Sequence, residues 1–91
     1  MIKSFIHKGL ERFFRTGDTS GINKMYASKI ARVLSVLDEL SDISQLKGLW
    51  QCHRLKGDRD TEWALSISGN WRITFEIKEG HVYIVNYEDY H

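Results

Sequence analysis

Apolar residues recur at helical spacing through the first half of the chain. The positions that predict a short first helix are Leu10, Phe13 and Phe14. Gly17 follows where it would end this helix as a C-terminal cap. Thr19 and Ser20 are typical N-caps, so a second helix is predicted after them, ending near Ser41. Its apolar stripe has the 3.6-residue period of a core-facing helix and comprises Ile22, Tyr26, Ile30, Val33, Leu37 and Leu40.

The second half of the chain changes to a period of two, which is typical of half-buried strands. Pairs of turn-forming residues, Gly69-Asn70 and Glu79-Gly80, separate the later apolar runs. A further short strand is predicted near the N-terminus. The predicted strands span 2–6, 49–55, 63–67, 71–77 and 82–87.

The first of these turns is predicted to be a three-residue loop at 68–70. A loop of that length pairs Ile67 with Trp71 and Leu65 with Ile73, which keeps one face of the hairpin apolar. A two-residue loop would mix the two faces. The expected geometry is a bulged turn with the asparagine of the loop in the left-handed conformation.

The second turn pairs Ile77 with Val82. The same register, continued without interruption, sets Arg72 opposite Tyr87 and Phe75 opposite Ile84. Arg72 and Tyr87 would then share the face opposite the apolar stripe. The carboxylate two residues beyond Tyr87 would point to that same face, so a cation, a phenol and a carboxylate are predicted together.

Helices followed by strands with short connections predict an α+β fold, with an antiparallel sheet packed on two N-terminal helices. The chain has 91 residues, no proline and no repeat or low-complexity run, so we expect one domain over 1–91. A composition of 42% hydrophobic, 27% charged and 12% aromatic residues is that of a globular protein.

Membrane and secreted classes are not expected. No run approaches the ~18 consecutive apolar residues of a membrane-spanning helix, and the first residues lack the apolar stretch of a signal peptide. The single cysteine, Cys52, cannot form an internal disulfide. We therefore expect a cytoplasmic protein.

The net charge of +1 is low for a protein that binds nucleic acid. Such binding would need basic residues gathered locally, with the acids elsewhere, as in the pairs Asp38-Glu39 and Glu88-Asp89. The candidate RNA-binding residues lie in the basic segment 53–60 and on the polar side of the second helix. They are Arg54, Arg59, Lys24, Lys29 and Arg32.

Several side chains could cut RNA without a metal, by attack of the RNA's own 2′-hydroxyl on the adjacent phosphate. Histidine or a carboxylate can transfer the protons, arginine and lysine can hold the phosphate, and tyrosine can stack on a base. The candidate catalytic residues are His53, Lys56, Arg72, Asp89, Tyr90 and His91.

Each candidate also has a structural interpretation. His53 could be a hydrogen-bonded strand residue, and Lys56 a solvated turn lysine. Arg72 could pair with Glu62 or Glu76 on its face of the sheet, and the last three residues could be a frayed terminus. Cys52 and His53 are adjacent, which is not zinc-ligand spacing, so neither a metal site nor a cofactor is expected.

Three segments together resemble the HigB-like toxins of the RelE/ParE superfamily. The first is Leu55-Lys56-Gly57-Asp58-Arg59 with Trp63, and the second is Asn70-Trp71-Arg72-Ile73-Thr74-Phe75. The third is Asn86-Tyr87-Glu88-Asp89-Tyr90-His91. The opening Met-Ile-Lys-Ser-Phe is also similar, so the resemblance covers essentially the whole chain.

The resemblance implies a RelE-like fold of two helices on a curved sheet, and a toxin of a type II toxin–antitoxin system. It implies cleavage of messenger RNA in the ribosomal A site. His53, Lys56, Arg72, Asp89, Tyr90 and His91 correspond to the family's site residues. The implied partner is a HigA-like helix-turn-helix antitoxin, through which alone the toxin would meet operator DNA.

Two other functions remain open. Members of the wider superfamily poison DNA gyrase through protein contacts, and a degenerate toxin could do no more than bind its antitoxin. The terminal Asp-Tyr-His favours the nuclease, because a gyrase poison has no need of an acid–base set.

Overall fold

The computed structural model describes residues 1–89, and Tyr90 and His91 lie outside the described residues. The helices are α1 (Lys8–Thr16) and α2 (Ala27–Glu39), with 3₁₀ turns at Lys24–Tyr26, Ile43–Leu46 and Gly57–Arg59. The strands are β1 (His53–Arg54), β2 (Trp63–Ser66), β3 (Trp71–Lys78) and β4 (His81–Asp89). All neighbouring strands are antiparallel, in the order β1-β2-β3-β4. The predicted α+β fold is confirmed.

The end of α1 was predicted correctly and the start of α2 was not. Gly17 caps α1 with φ of 81°, and its N–H donates to the Phe13 carbonyl. The predicted N-caps Thr19 and Ser20 lie well before α2, which begins at Ala27. The Ser20 N–H donates instead to Asp18 Oδ1. After this turn, the chain passes back across α1 before α2 begins.

The two weakest predicted strands are shorter in the structure than in the sequence pattern. Segment 2–6 makes only two isolated parallel bridges to β4, at Ile2–Val82 and Phe5–Val85. Segment 49–55 contributes only β1, because Trp50 and Gln51 have positive φ values of 48° and 54° that extended pairing excludes.

The β2–β3 hairpin has the predicted register, with Leu65 opposite Ile73. The predicted left-handed Asn70 is wrong, because Asn70 is not among the residues with positive φ. The loop closes differently: the Trp71 carbonyl accepts from the amides of both Ile67 and Ser68, at 2.9 and 3.1 Å. The Trp71 amide donates to Ser68 Oγ, so this turn needs no left-handed residue.

The β3–β4 hairpin begins in the predicted register, with Ile77 opposite Val82, and then departs from it. The pairing shifts between Thr74 and Glu76, and Ile84 opposite this shift has a φ of 49°. Arg72 therefore pairs with Glu88, and the predicted pairing with Tyr87 is wrong. A bulge of one residue exchanges the faces of every side chain beyond it.

The core lies between α1, α2 and one face of the sheet. Its strand residues include Leu65, Ile73, Phe75 and Val85, all fully buried. The opposite side is here called the outer face. By register, it carries His53, Ala64, Ser66, Arg72, Thr74, Asn86 and Glu88.

Candidate active site on the outer face of the sheet

Strand pairing places the candidate residues of the outer face in two neighbouring rows. One row runs from His53 through Ala64 and Thr74 to Asn86. The next row joins Ser66, Arg72 and Glu88. His53 and Arg72, which are distant in the sequence, thus lie on the same side of one sheet.

Glu88 is the hydrogen-bonding centre of this face. Its Oε1 accepts from Nε and Nη2 of Arg72, at 3.2 and 3.1 Å, and from Nη1 of Arg59, at 3.0 Å. Its Oε2 accepts from Arg59 Nη2 at 2.5 Å, from Asn86 Nδ2 at 3.1 Å and from the Thr74 hydroxyl at 3.4 Å. The hydrogen bonds from Arg59, followed by those from Arg72, lower the pKa of Glu88 below its usual range.

Arg59 reaches the outer face from the 3₁₀ turn Gly57–Arg59. Besides Glu88, it pairs with Glu62 through Nε and Nη2, at 3.1 and 2.8 Å. Hydrogen bonds to Glu62 and then Glu88 raise the pKa of Arg59 further above its usual range. The guanidinium predicted to contact RNA is therefore directed at two carboxylates, although 38% of the side chain remains exposed.

Arg72 is more enclosed, with only 15% of its side chain exposed. The pairing with Glu62 or Glu76 that the sequence left open is replaced by the pairing with Glu88. Glu88 was missed as a site residue because it stood in an acidic pair next to Asp89. The signal that could have found it was the strand register, which the bulge displaced by one residue.

His53 is exposed on β1, and its Nδ1 lies 3.0 Å from the Gln51 carbonyl oxygen. A carbonyl oxygen can only accept, so this contact requires the proton on Nδ1 and leaves Nε2 as the nitrogen that can take up a proton. Lys56 is also exposed and immediately precedes the 3₁₀ turn that carries Arg59.

Tyr87 and Asp89 lie on the other side of the sheet from Arg72. Tyr87 is 5% exposed, stacks on Trp71 with ring centroids 4.5 Å apart, and donates to Asn23 Oδ1. Burial raises the pKa of Tyr87 to about 12. Asp89 is exposed at the end of β4, opposite Trp71. The predicted grouping of Arg72, Tyr87 and Asp89 on one face is therefore wrong.

The other candidate RNA-binding residues differ in their surroundings. Lys24 and Arg32 are exposed. Lys29 Nζ donates to the Ile67 carbonyl at 2.9 Å and so ties α2 to the first hairpin. Arg54 Nε donates to the Asp60 carbonyl at 2.6 Å, and its guanidinium lies 6.0 Å from the ring centroid of Trp63.

Two general properties complete the description. Within residues 1–89, no three or more histidine, cysteine or acidic side chains are grouped so as to hold a metal ion. No helix in that part of the chain is long and apolar enough to cross a membrane.

Comparisons with known proteins agree over the length of the chain. Residues 3–91 match the model of a family described as the RelE-like toxin of the type II toxin–antitoxin system HigB. The protein is similar to the endoribonuclease HigB of Proteus vulgaris, with 45% identity over 92 residues that cover 100% of each chain. The fold resembles the YoeB–YefM complex from Staphylococcus aureus, with a TM-score of 0.65 at 20% identity over 100% of this chain and 95% of that chain.

Proposed function

Because the chain belongs to the HigB-like family of endoribonuclease toxins of type II toxin–antitoxin systems, we propose that it cuts messenger RNA in the ribosomal A site. The proposed reaction is attack of the RNA's 2′-hydroxyl on the adjacent phosphate, without a metal. It leaves a 2′,3′-cyclic phosphate and a 5′-hydroxyl. The observation that carries this proposal is the oriented guanidinium of Arg72 on the same face of the sheet as His53.

Arg72 and Lys56 are proposed to stabilise the negative charge that develops on the phosphorane. A guanidinium offers two parallel donors to phosphate oxygens, and an ammonium adds a point charge. Fixed cations stabilise a transition state most when they need not reorganise during the reaction. The hydrogen bonds from Arg72 to Glu88 support such fixation.

The proton transfers are assigned to His53, Asp89 and His91. His53 can act through Nε2, because Nδ1 faces the Gln51 carbonyl. We propose His91, or Asp89 acting from the exposed end of β4, as the base for the 2′-hydroxyl, and His53 or His91 as the acid for the leaving 5′-oxygen. Asp89 can act only around the end of the strand, because its position in the register is on the other side of the sheet from Arg72. Tyr90 is proposed to orient a base or the scissile phosphate.

The proposed partners follow from family membership. A toxin of this class has an antitoxin, which we propose to be HigA-like with a helix-turn-helix fold, and operator DNA is met only through it. Lys24, Lys29, Arg32, Arg54 and Arg59 are proposed RNA contacts, of which Lys24, Arg32 and Arg54 are exposed. The proposed compartment is the cytoplasm, where the ribosomes are.

The test replaces Arg72 by alanine and maps message ends after induction in cells that lack the antitoxin. We expect cleavage to fall by roughly 10²-fold or more, the usual loss when one donor to a developing charge is removed. The control is Arg15→Ala, which removes an exposed arginine of α1 that, within residues 1–89, forms an ion pair with Glu11. Melting temperatures of both purified variants report on folding.

Four outcomes would contradict the proposal. Equal cutting by wild type and Arg72→Ala would remove Arg72 from the mechanism. Ends carrying a 3′-hydroxyl and a 5′-phosphate would exclude attack by the 2′-hydroxyl. Intact messages together with trapped gyrase–DNA breaks would favour the protein-binding toxin, and growth without arrest despite soluble expression would indicate a degenerate toxin.

A further inference from the structure

The geometry points to Glu88 as a positioning residue that holds Arg72 in place for cleavage on the outer face. This inference rests on the proposed function of Arg72 and adds a residue that the motif-based analysis did not assign. Glu88 acts through Arg72 and does not itself contact the reacting atoms.

The Glu88 carboxylate accepts hydrogen bonds from several groups at both of its oxygens. Six hydrogen bonds reach its two oxygens, three to each, from Arg72, Arg59, Thr74 and Asn86. Four of the six come from guanidinium groups, which form the stronger, charge-assisted bonds. A carboxylate held in this way has essentially one orientation, so a side chain that is bound to it is fixed as well.

These donors come from separate parts of the chain. Arg72 and Thr74 lie on β3, Asn86 lies on β4, and Arg59 comes from the 3₁₀ turn before β2. Only 18% of the Glu88 side chain is exposed, so solvent competes weakly for its oxygens. The position of Arg72 is thus set by several backbone segments and not by its own rotamer preference.

Glu88 holds Arg72 through one edge of the guanidinium group. The contacts use Nε and Nη2 of Arg72, both directed at Oε1. These are two of the five N–H donors of a guanidinium, so the pairing with Glu88 orients the group and uses only part of its capacity to donate. A salt bridge that competed with phosphate would instead be released when substrate binds, and its removal would speed cleavage.

The test compares Glu88→Gln with Glu76→Gln. Glutamine keeps the shape of the side chain and removes its charge. Glu76 is a matched control because it is a carboxylate on the same face with a similar exposure of 20%, and it contacts Thr61 and Lys78. Cleavage of a defined message on purified stalled ribosomes is followed at varied toxin concentration, to separate binding from the cutting step.

We expect Glu88→Gln to slow the cutting step about tenfold or more with little change in half-saturating concentration, since small misplacements of reacting groups cost up to ~10²-fold. We expect Glu76→Gln to cut at the wild-type rate. In the Arg72→Ala background, long incubations that follow the residual cleavage should show no further loss from Glu88→Gln, because the group that Glu88 positions is gone.

A second variant covers the case in which Glu88→Gln does not fold. Glu88→Asp keeps the charge that neutralises the two arginines but withdraws the carboxylate by one methylene, and it should also slow the cutting step. Wild-type or faster cutting by a folded Glu88 variant would overturn the inference, as would an equal loss in the presence and absence of Arg72. Absence of cutting by the wild type, or equal cutting by Arg72→Ala, would instead overturn the proposed function.

Discussion

At the scale of single residues, the polar side chains of the outer face are arranged around the carboxylate of Glu88, which lies between the guanidinium groups of Arg59 and Arg72. The structural interpretation of Arg72, an ion pair on its face of the sheet, is seen, but with a partner other than the expected Glu62 or Glu76. The structure pairs Arg72 with Glu88, and Glu62 pairs with Arg59. Opposite charges are abundant in this chain, so composition alone cannot say which of them meet.

The lowered pKa of Glu88 predicts a pH dependence of stability. Since the folded-state pKa lies below the usual 4.5, ionised Glu88 adds stability that is fully present above pH 4.5. That stability is lost as the pH falls through the lowered folded value. We therefore expect Glu88→Gln to be less stable than the wild type near neutral pH and to lose less further stability on acidification.

The measurement is the urea midpoint between about pH 2 and pH 7, the range in which carboxylates titrate. Glu76→Gln serves again as the control. Its urea midpoint should fall on acidification in the same way as that of the wild type. If the urea midpoints of the wild type and Glu88→Gln fell equally on acidification, the Glu88 carboxylate would not be a source of the acid sensitivity.

At the scale of secondary-structure elements, the helices were predicted well where local signals act alone. The Gly17 cap and the apolar stripe from Ile30 to Leu40 depend on residues close in sequence, and both are seen. The first two positions of the predicted stripe, Ile22 and Tyr26, lie before α2. The start of α2 was predicted several residues early, because the segment before it is used to cross α1. Gly9 and Gly21 meet at that crossing, backbone against backbone.

The Gly9–Gly21 contact predicts an unusual effect of alanine in a helix. A Cβ atom on Gly9 would lie 2.6 Å from the Gly21 carbonyl oxygen, which is too close without a backbone shift. Although alanine is favoured over glycine in helices by about 1 kcal/mol, we expect Gly9→Ala to lower the free energy of unfolding by ~1–3 kcal/mol through overpacking. Urea denaturation at neutral pH measures the change.

The matched control for this prediction is Gly69→Ala. A Cβ at Gly69 meets no atom within 4 Å, and φ there is not positive. Its free energy of unfolding should change by less than about 0.5 kcal/mol, as for most surface substitutions. If Gly9→Ala were as stable as the wild type, the close approach of α1 and its following loop would be relaxed in solution.

At the scale of the whole molecule, the low net charge of +1 limits the electrostatic attraction between the toxin and RNA. Nonspecific affinity for RNA comes largely from neutralised phosphates, and it falls steeply with salt. Here two of the arginines on the outer face, Arg59 and Arg72, are each paired with a carboxylate, which weakens the long-range attraction further. Under the proposed function, the ribosome would replace this attraction by holding the message in position.

We therefore expect the purified protein to cut a message on stalled ribosomes and to leave the same message intact in free form. The comparison is made at ~0.15 M salt, where exposed charges are well screened, with message ends mapped in both samples. Bovine serum albumin in place of the toxin controls for contaminating nuclease. Cutting of the free message at the same sites and rate would contradict the dependence on the ribosome.

Local patterns in the sequence were sufficient for the α+β class, the core stripe of α2, the β2–β3 register and the family resemblance. Each of these depends on residues that are near neighbours along the chain or on short motifs. The register of β4 and the cluster around Glu88 depend on contacts between residues that are separated by 16 or 29 positions along the chain. A single bulge at Ile84 exchanges the two faces of β4 beyond it, because one added residue inverts the two-residue alternation of a strand. Glu88 therefore lies beside Arg72, and Tyr87 lies in the core.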